Sequence, residues 1–217
     1  MKPRVKICCI MSQDEARLAI AAGASALGLV ASMPSGPGVI ADANIRDIAR
    51  TVPPGIATFL LTSRRAASDV VAHVRAVGTS TVQLVDTLTH GSYAQLRDEL
   101  PNVKIVQVVH VSGPAAVDGA LAVAEEVDAL LLDSGNPHLR VKQLGGTGRR
   151  HDWTLSRQIR DAASVPVYLA GGLRDDNVAD AIASVDPFGV DVCTGVRSDG
   201  RLDAQKLNHF MSAVEKA

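Results

Sequence analysis

The stretch Asp128-Ala-Leu-Leu-Leu-Asp133 predicts a buried strand that ends in a carboxylate. After it come the glycine-rich segment Gln143-Leu-Gly-Gly-Thr-Gly148 and a helical pattern that begins near Thr154. A glycine-rich loop leaves backbone N–H groups free to approach an anion. Such loops also form ordinary turns, so one unit of this kind is weak evidence of a site. The evidence is stronger when this strand, loop and helix are seen as one of a series, because the same order of elements recurs along the chain.

Eight strand and helix pairs follow one another over the 217 residues. The predicted strands are short apolar runs beside turn signals, at 4–10, 26–31, 56–62, 81–84, 104–111, 129–133, 167–170 and 190–193. The predicted helices lie between them, at 14–22, 45–50, 67–77, 93–99, 115–125, 154–162, 177–183 and 204–214. Eight pairs in a chain of this length predict an α/β fold, a single-domain (β/α)8 TIM barrel over residues 1–217. An open doubly wound sheet is the alternative, but the glycine fingerprint expected after its first strand is replaced by Cys8-Cys-Ile-Met11.

The composition favours an α/β protein and gives no sign of a nucleic-acid or membrane protein. Hydrophobic residues make up 47% of the chain and aromatic residues only 3%, so the core is built from aliphatic side chains, as in parallel sheets buried on both faces. The net charge of −1 offers no general attraction to nucleic acid or to an anionic membrane. With three cysteines, no signal peptide and no membrane-spanning run, we expect a cytoplasmic protein without a disulfide framework.

Glycines occur in three consecutive loops of the predicted barrel. In such barrels the active site lies at the carboxyl ends of the strands, and phosphate commonly binds after strands 7 and 8. Each loop alone fits tight packing, but three in a row predict a ligand that carries a phosphate. The candidate substrate- and phosphate-binding residues are Lys6 of the first strand and the loop residues Gly145, Gly146, Thr147, Gly148, Gly171, Gly172, Thr194 and Gly195.

Strand parity sorts the candidate catalytic side chains of the first strand. Val5 and Ile7 are apolar and should face the helices, so Lys6 and Cys8 should face the barrel interior. Cys9 shares the parity of Ile7, and we expect it to be a small packing residue. A cation near Cys8 would favour its thiolate.

Asp133, at the end of the sixth strand, is predicted to face the interior together with Lys6 and Cys8. A cysteine base opposite a carboxylic acid makes a proton-transfer pair that requires no metal. The six histidines show no HxH or HExxH spacing, so we expect no metal site.

Several of these segments carry a family resemblance. The chain resembles the phosphoribosylanthranilate isomerases in order over nearly its whole length. The segments are Val5-Lys-Ile-Cys-Cys-Ile10, Leu144-Gly-Gly-Thr-Gly148 with Asp152-Trp153, Leu169-Ala-Gly-Gly-Leu173 and Gly189-Val-Asp-Val-Cys-Thr-Gly-Val196. The resemblance implies a cofactor-free barrel that performs an Amadori rearrangement in tryptophan biosynthesis, from an aminoaldose to an aminoketose. It further implies that Cys8 is the general base, that Asp133 is the general acid and that the glycine loops hold the substrate phosphate.

Three positions depart from the pattern of that family. Cys9 stands where the family has glycine, and Gly38 stands where it has an arginine that pairs with the anthranilate carboxylate. Val85 stands where it has a histidine, and His90 lies a few residues later. If the missing arginine limits binding, Gly38→Arg should raise the affinity for substrate.

The lost arginine keeps two alternatives open: a related barrel isomerase that acts on a different phosphosugar, and a non-catalytic homologue that binds phosphometabolites. A Schiff-base aldolase using Lys6 is disfavoured, because that lysine usually lies on the sixth strand, which here ends in Asp133. The expected partner is a small phosphorylated sugar, and the chain is expected to be a monomer or a homodimer.

Overall fold

Eight short strands pair side by side in sequence order and close into a barrel of parallel strands. The computed structural model describes residues 2–135 and 151–217. The closing pair joins the first and last strands, with Lys6 aligned to Asp191 and Ile7 aligned to Val192. The predicted fold class, a (β/α)8 barrel, is therefore confirmed.

The strands are β1 Arg4–Ile7, β2 Ala26–Val30, β3 Ala57–Thr62, β4 Thr81–Leu84, β5 Lys104–His110, β6 Ala129–Asp133, β7 Val167–Leu169 and β8 Gly189–Val192. The helices are α1 Gln13–Ala21, α2 Asp42–Thr51, α3 Ala67–Val77, α4 Tyr93–Glu99, α5 Ala115–Ala124, α6 Trp153–Ala162, α7 Val178–Val185 and α8 Ala204–Lys216. A short 3-10 helix at Thr194–Val196 follows β8 and leads to a two-stranded ribbon, β9 Arg197–Ser198 and β10 Arg201–Leu202.

Local sequence explains where several helices begin. The Ser12 hydroxyl accepts a hydrogen bond from the Glu15 amide at the start of α1, at 3.2 Å. The Asp152 carboxylate accepts one from the Thr154 amide at the start of α6, at 2.8 Å. Each cap satisfies an amide that has no partner inside its helix. Among the described residues, no helix is long and apolar enough to cross a membrane.

The core has two layers, which follow the predicted parity. Val5, Ile7, Leu130 and Val190 are among the side chains packed between the strands and the helices. The barrel interior holds a second cluster that includes Leu131. Two of the six aromatic rings lie in that interior, where Phe59 meets Tyr168 edge to face with ring centroids 6.0 Å apart.

The first strand is shorter than the predicted 4–10. It ends at Ile7, and Cys9 has a φ of 64°, in the left-handed region. A residue in that conformation cannot continue an extended strand, so the chain turns there towards α1.

Candidate active site

A cavity lies at the carboxyl ends of the strands, where a barrel enzyme places its active site. Its empty volume is about 660 Å³, including the open mouth. The predicted residues that the structure brings together along its wall are Cys8, Asp133, Gly171, Gly172 and Thr194. Gln83 and Asp191 also line it, although neither was predicted to be a site residue.

Four predicted phosphate ligands, Gly145, Gly146, Thr147 and Gly148, lie outside the described residues. Their role stays a prediction.

Lys6 is fully buried and is not among the residues that line the cavity. Its ammonium forms an ion pair with Asp191, with Nζ 2.9 Å from Oδ2. Burial acts to lower the pKa of Lys6, but the attraction of Asp191 outweighs it and the pKa is raised, so the ammonium stays charged. The parity prediction placed this side chain correctly inside the barrel. Its partner, however, is a carboxylate of β8, and the structure gives no support to direct phosphate binding.

Cys8 lies close to this ammonium. A Cβ at Gly28 would stand 2.8 Å from the Cys8 sulfur and 3.2 Å from Lys6 Nζ, so a side chain at position 28 has no space between them. The neighbouring Cys9 thiol lowers the pKa of Cys8; burial opposes this effect, and the charge of Lys6 adds to it. The surroundings thus favour the thiolate form that a general base requires.

Asp133 ends β6, three strands away from Cys8 around the barrel, and faces the same cavity. Its side chain is buried, and its Oδ1 accepts a hydrogen bond from the Ser134 amide at 2.7 Å. This bond fixes the orientation of the carboxyl group at the edge of the cavity.

The loops after β7 and β8 are shaped by glycine. Gly171 and Gly172 have φ values of 87° and 66°, and the side-chain amide of Asn177 donates to the Gly172 carbonyl at 3.0 Å. A Cβ at Gly195 would lie only 2.1 Å from the Leu173 carbonyl oxygen, so the two loops touch at a position that no side chain can occupy. Adjoining turns of bare backbone form the kind of surface that binds a phosphate group.

Cys9 is a buried packing residue, as predicted, but it does not face the helices as its parity with Ile7 indicated. Cys9 lines the cavity and belongs to the interior cluster, since its left-handed backbone turns the side chain away from the helix layer. Its thiol donates to the Pro37 carbonyl at 3.6 Å. Parity failed because it holds only for a continuous strand.

Gly38 packs directly against Cys9. A Cβ at Gly38 would stand 2.4 Å from the Cys9 Cβ, and Gly38 itself has a φ of 77°. An arginine at position 38 therefore meets both a clash and backbone strain, which opposes the expectation that Gly38→Arg alone restores affinity.

A buried ion pair that the sequence did not reveal holds the loop after β1. The Arg197 guanidinium donates to both carboxylate oxygens of Glu15, at 3.1 and 3.0 Å, and also to the Cys9 carbonyl. Glu15 in turn accepts from the amides of Met11 and Leu202, each at 2.9 Å. Burial raises the pKa of Glu15, but these hydrogen bonds, led by that of Arg197, hold it below the ordinary range.

The position of the family histidine is filled by apolar packing. Val85 is buried in the interior cluster, and its carbonyl lies 3.1 Å from Nε2 of His110. His90 is exposed, its Nδ1 contacts the Thr89 hydroxyl at 3.0 Å, and it does not line the cavity. His90 therefore does not take over the role of the missing histidine in this structure.

Comparisons with known proteins agree with the geometry. A family model described as N-(5'phosphoribosyl)anthranilate (PRA) isomerase matches residues 5–213. N-(5'-phosphoribosyl)anthranilate isomerase 2 of Methanosarcina mazei is 36% identical over 96% of this chain and 92% of its own length. The corresponding enzyme of Halobacterium salinarum is also 36% identical, over 96% of this chain and 94% of its own length.

Solved structures give the same result. The phosphoribosyl anthranilate isomerase of Thermotoga maritima superposes with a TM-score of 0.82 at 28% identity, covering 99% of this chain and 100% of that one. A second isomerase structure, in complex with reduced 1-(o-carboxyphenylamino)-1-deoxyribulose 5-phosphate, has a TM-score of 0.79 at 26% identity over 99% and 100% of the two chains.

Proposed function

The chain belongs to the N-(5'-phosphoribosyl)anthranilate isomerase family, and we propose that it performs the family's rearrangement with Cys8 as general base and Asp133 as general acid. It is an isomerase of tryptophan biosynthesis. The observation that supports the two roles is that both side chains face one cavity from strands on different sides of the barrel.

The rearrangement needs one proton delivered and one removed. Asp133 protonates the ribose ring oxygen, and the ring opens to a Schiff base between the sugar and the anthranilate nitrogen. The Cys8 thiolate then takes the proton from C2′, which gives an enolamine that becomes the ketone. Placing the acid and the base on separate strands lets them reach different atoms of one substrate. Lys6 does not touch the substrate in this scheme. Its buried charge favours the thiolate of Cys8.

The substrate phosphate is proposed to bind at the loops after β7 and β8. Gly171, Gly172 and Thr194 line the cavity together with Cys8, and Gly195 packs against Leu173 where the two loops touch. Binding at this edge places the sugar above the open end of the barrel, within reach of both catalytic groups. The four residues of the 145–148 segment are proposed to complete the phosphate site, as the family resemblance implies.

One observation supports a second candidate function. Among the described residues that line the cavity, none is lysine, arginine or histidine. A substrate whose amino substituent lacks a carboxylate would fit this cavity equally well. The alternative is therefore an isomerase that acts on a different N-substituted phosphoribosylamine.

Turnover of phosphoribosylanthranilate by the purified protein, followed by chromatography of the aminoketose product, tests the proposal. Cys8→Ser and Asp133→Asn should each lower kcat by about 10²-fold or more, as expected for a general base and acid. Asp128→Asn is the matched control, because this carboxylate lies just before β6, at the opposite end of the strand from Asp133, where it contacts Lys104. A Cys8→Ser or Asp133→Asn enzyme as fast as the Asp128→Asn control would remove that residue from the mechanism.

The same assay separates the alternative. Comparing kcat/KM for phosphoribosylamines with and without the carboxylate measures how far that group is recognised. A preference of roughly a hundredfold for the carboxylate, the size expected of a charge-assisted contact of 1.5–3 kcal/mol, would reject the alternative. We also propose that the enzyme is cytoplasmic and forms a monomer or a homodimer. The Thermotoga maritima relative is described as dimeric, and sedimentation can decide the state of this chain.

A further inference from the structure

All three cysteines of the chain meet at the active-site cavity. Cys8 and Cys9 follow β1, Cys193 follows β8, and each of them lines the cavity as a free cysteine. The two strands are neighbours in the barrel, and the Cys8 amide donates to the Val192 carbonyl at 2.8 Å. This bond sets the two chain segments side by side just beyond the paired residues.

The three cysteines influence one another electrostatically. The interactions of the Cys9 thiol with Cys193 and Cys8, together with burial, raise the pKa of Cys9. Cys8 has the opposite tendency, because the neighbouring Cys9 thiol and the charge of Lys6 lower its pKa. The site therefore joins a sulfur that favours the thiolate to a neighbour that stays a thiol. That combination characterises a reactive cysteine beside a resolving cysteine.

We propose that Cys8, Cys9 and Cys193 form an oxidation site for small hydroperoxides, in which Cys8 reacts first and Cys9 resolves the product as a disulfide. In the part of the chain that the structure describes, no group of three or more His, Cys, Asp or Glu side chains is arranged to hold a metal ion. The three sulfurs are therefore assigned to thiol chemistry.

The steps balance with a hydroperoxide as the only oxidant. The Cys8 thiolate attacks the terminal oxygen of ROOH, the O–O bond breaks, and the products are Cys8 sulfenic acid and, after proton uptake, ROH. The Cys9 sulfur then attacks the Cys8 sulfur and forms an S–S bond, while the hydroxyl leaves with the Cys9 proton as water. Thiol–disulfide exchange can follow, in which Cys193 attacks Cys9 and releases Cys8 as a thiol. The peroxide gains two electrons, and two cysteines lose them.

The structure holds the Cys9 side chain in the same cavity as Cys8. Its left-handed φ of 64° turns the sulfur into the cavity. Arg197 donates to the Cys9 carbonyl, and the Pro37 carbonyl accepts from the Cys9 thiol. A strained residue persists where its surroundings over-determine it, and such residues cluster at functional sites. The effect on catalysis rests on the proposed function, because a Cys8–Cys9 disulfide removes the proposed base until a dithiol reduces it.

Treatment of the intact protein with hydrogen peroxide, followed by alkylation and tryptic mass spectrometry, tests the proposal. Cys8 and Cys9 share the peptide 7–17, whereas Cys193 lies in the peptide 175–197. A peptide 7–17 lighter by two hydrogens, or one joined to 175–197, is the expected product. Dithiothreitol should return both peptides to the thiol form and should restore the activity lost with the disulfide.

Cys9→Ser separates the resolving role from simple oxidation. In this variant Cys8 should pass to the sulfinic acid, and the activity recovered with dithiothreitol should fall roughly tenfold or more, since sulfinic acid is not reduced by thiols. Cys9→Gly is the second variant, because glycine adopts a positive φ without strain.

Two outcomes would overturn the proposal. One is a disulfide that forms in both variants at the wild-type rate, and the other is a wild-type protein that forms sulfinic acid without a disulfide. The chemical readout does not depend on turnover. An inactive protein that still forms the disulfide leaves this inference standing, and an active one that forms none removes only this inference.

Discussion

Gly38→Ala should destabilise the protein through its contact with Cys9. The new Cβ would lie 2.4 Å from the Cys9 Cβ and 2.9 Å from its Cα, on a backbone with a φ of 77°. The left-handed conformation costs an alanine about 1–2 kcal/mol. Overpacking against Cys9 adds about 1–3 kcal/mol, which gives a total loss of about 2–5 kcal/mol.

Urea denaturation of a double-mutant cycle measures the contact. Cys9→Gly removes the nearest atom and the strain at position 9, so the double variant should lose about 1–2 kcal/mol less than the sum of the single variants. Gly78→Ala is the matched control, because Gly78 has a φ of 74° with no atom within 4 Å of the added Cβ. It carries the strain of about 1–2 kcal/mol without a clash. Additivity of Gly38→Ala and Cys9→Gly within about 0.5 kcal/mol would refute the packing argument.

Glu15→Gln should lower the free energy of unfolding by about 3 kcal/mol, because it leaves the buried Arg197 charge unpaired; a urea midpoint equal to that of the wild type would contradict this. Burial lowers the pKa of His73 below the ordinary 6.5, so the unfolded chain binds a proton more readily. Stability should therefore fall as the pH drops from about 6.5 through the folded pKa, and the slope should shrink in His73→Gln, as thermal melts across that range can check. Gly195→Ala forces a Cβ to within 2.1 Å of the Leu173 carbonyl, which should raise KM for the phosphorylated substrate by roughly tenfold or more with a smaller change in kcat; an unchanged KM would place the phosphate elsewhere.

The sequence predicted the parts of the site that depend on local periodicity. The apolar run ending in Asp133 could be assigned to a strand, and its alternation placed Leu131 inside the barrel and Leu130 outside, as observed. Cys8 could be assigned to the barrel interior at the carboxyl end of the first strand, because the side chains from Val5 onwards alternate between the helix layer and the interior. A regular strand carries its side chains to fixed faces, so residue spacing is sufficient there.

The sequence failed where the chain leaves regular geometry or where distant segments meet. Cys9 was assigned to the wrong face, because its left-handed backbone breaks the alternation. Glu15 and Arg197 are 182 residues apart, and no local pattern signals that they form a pair. The face of Cys9 and the pairing of Glu15 with Arg197 both depend on contacts that form only in the folded chain.

Sequence alone thus determined the eight strand and helix pairs, the two facing groups Cys8 and Asp133, and the glycine loops, since all of these follow from local spacing and backbone freedom. The tertiary structure decided that Lys6 pairs with Asp191, that Cys9 lines the same cavity as Cys8 and Cys193, and that a side chain at Gly38 has no room. Barrel closure is the physical reason, because it brings β8 against β1 and so joins the two ends of the chain in one site.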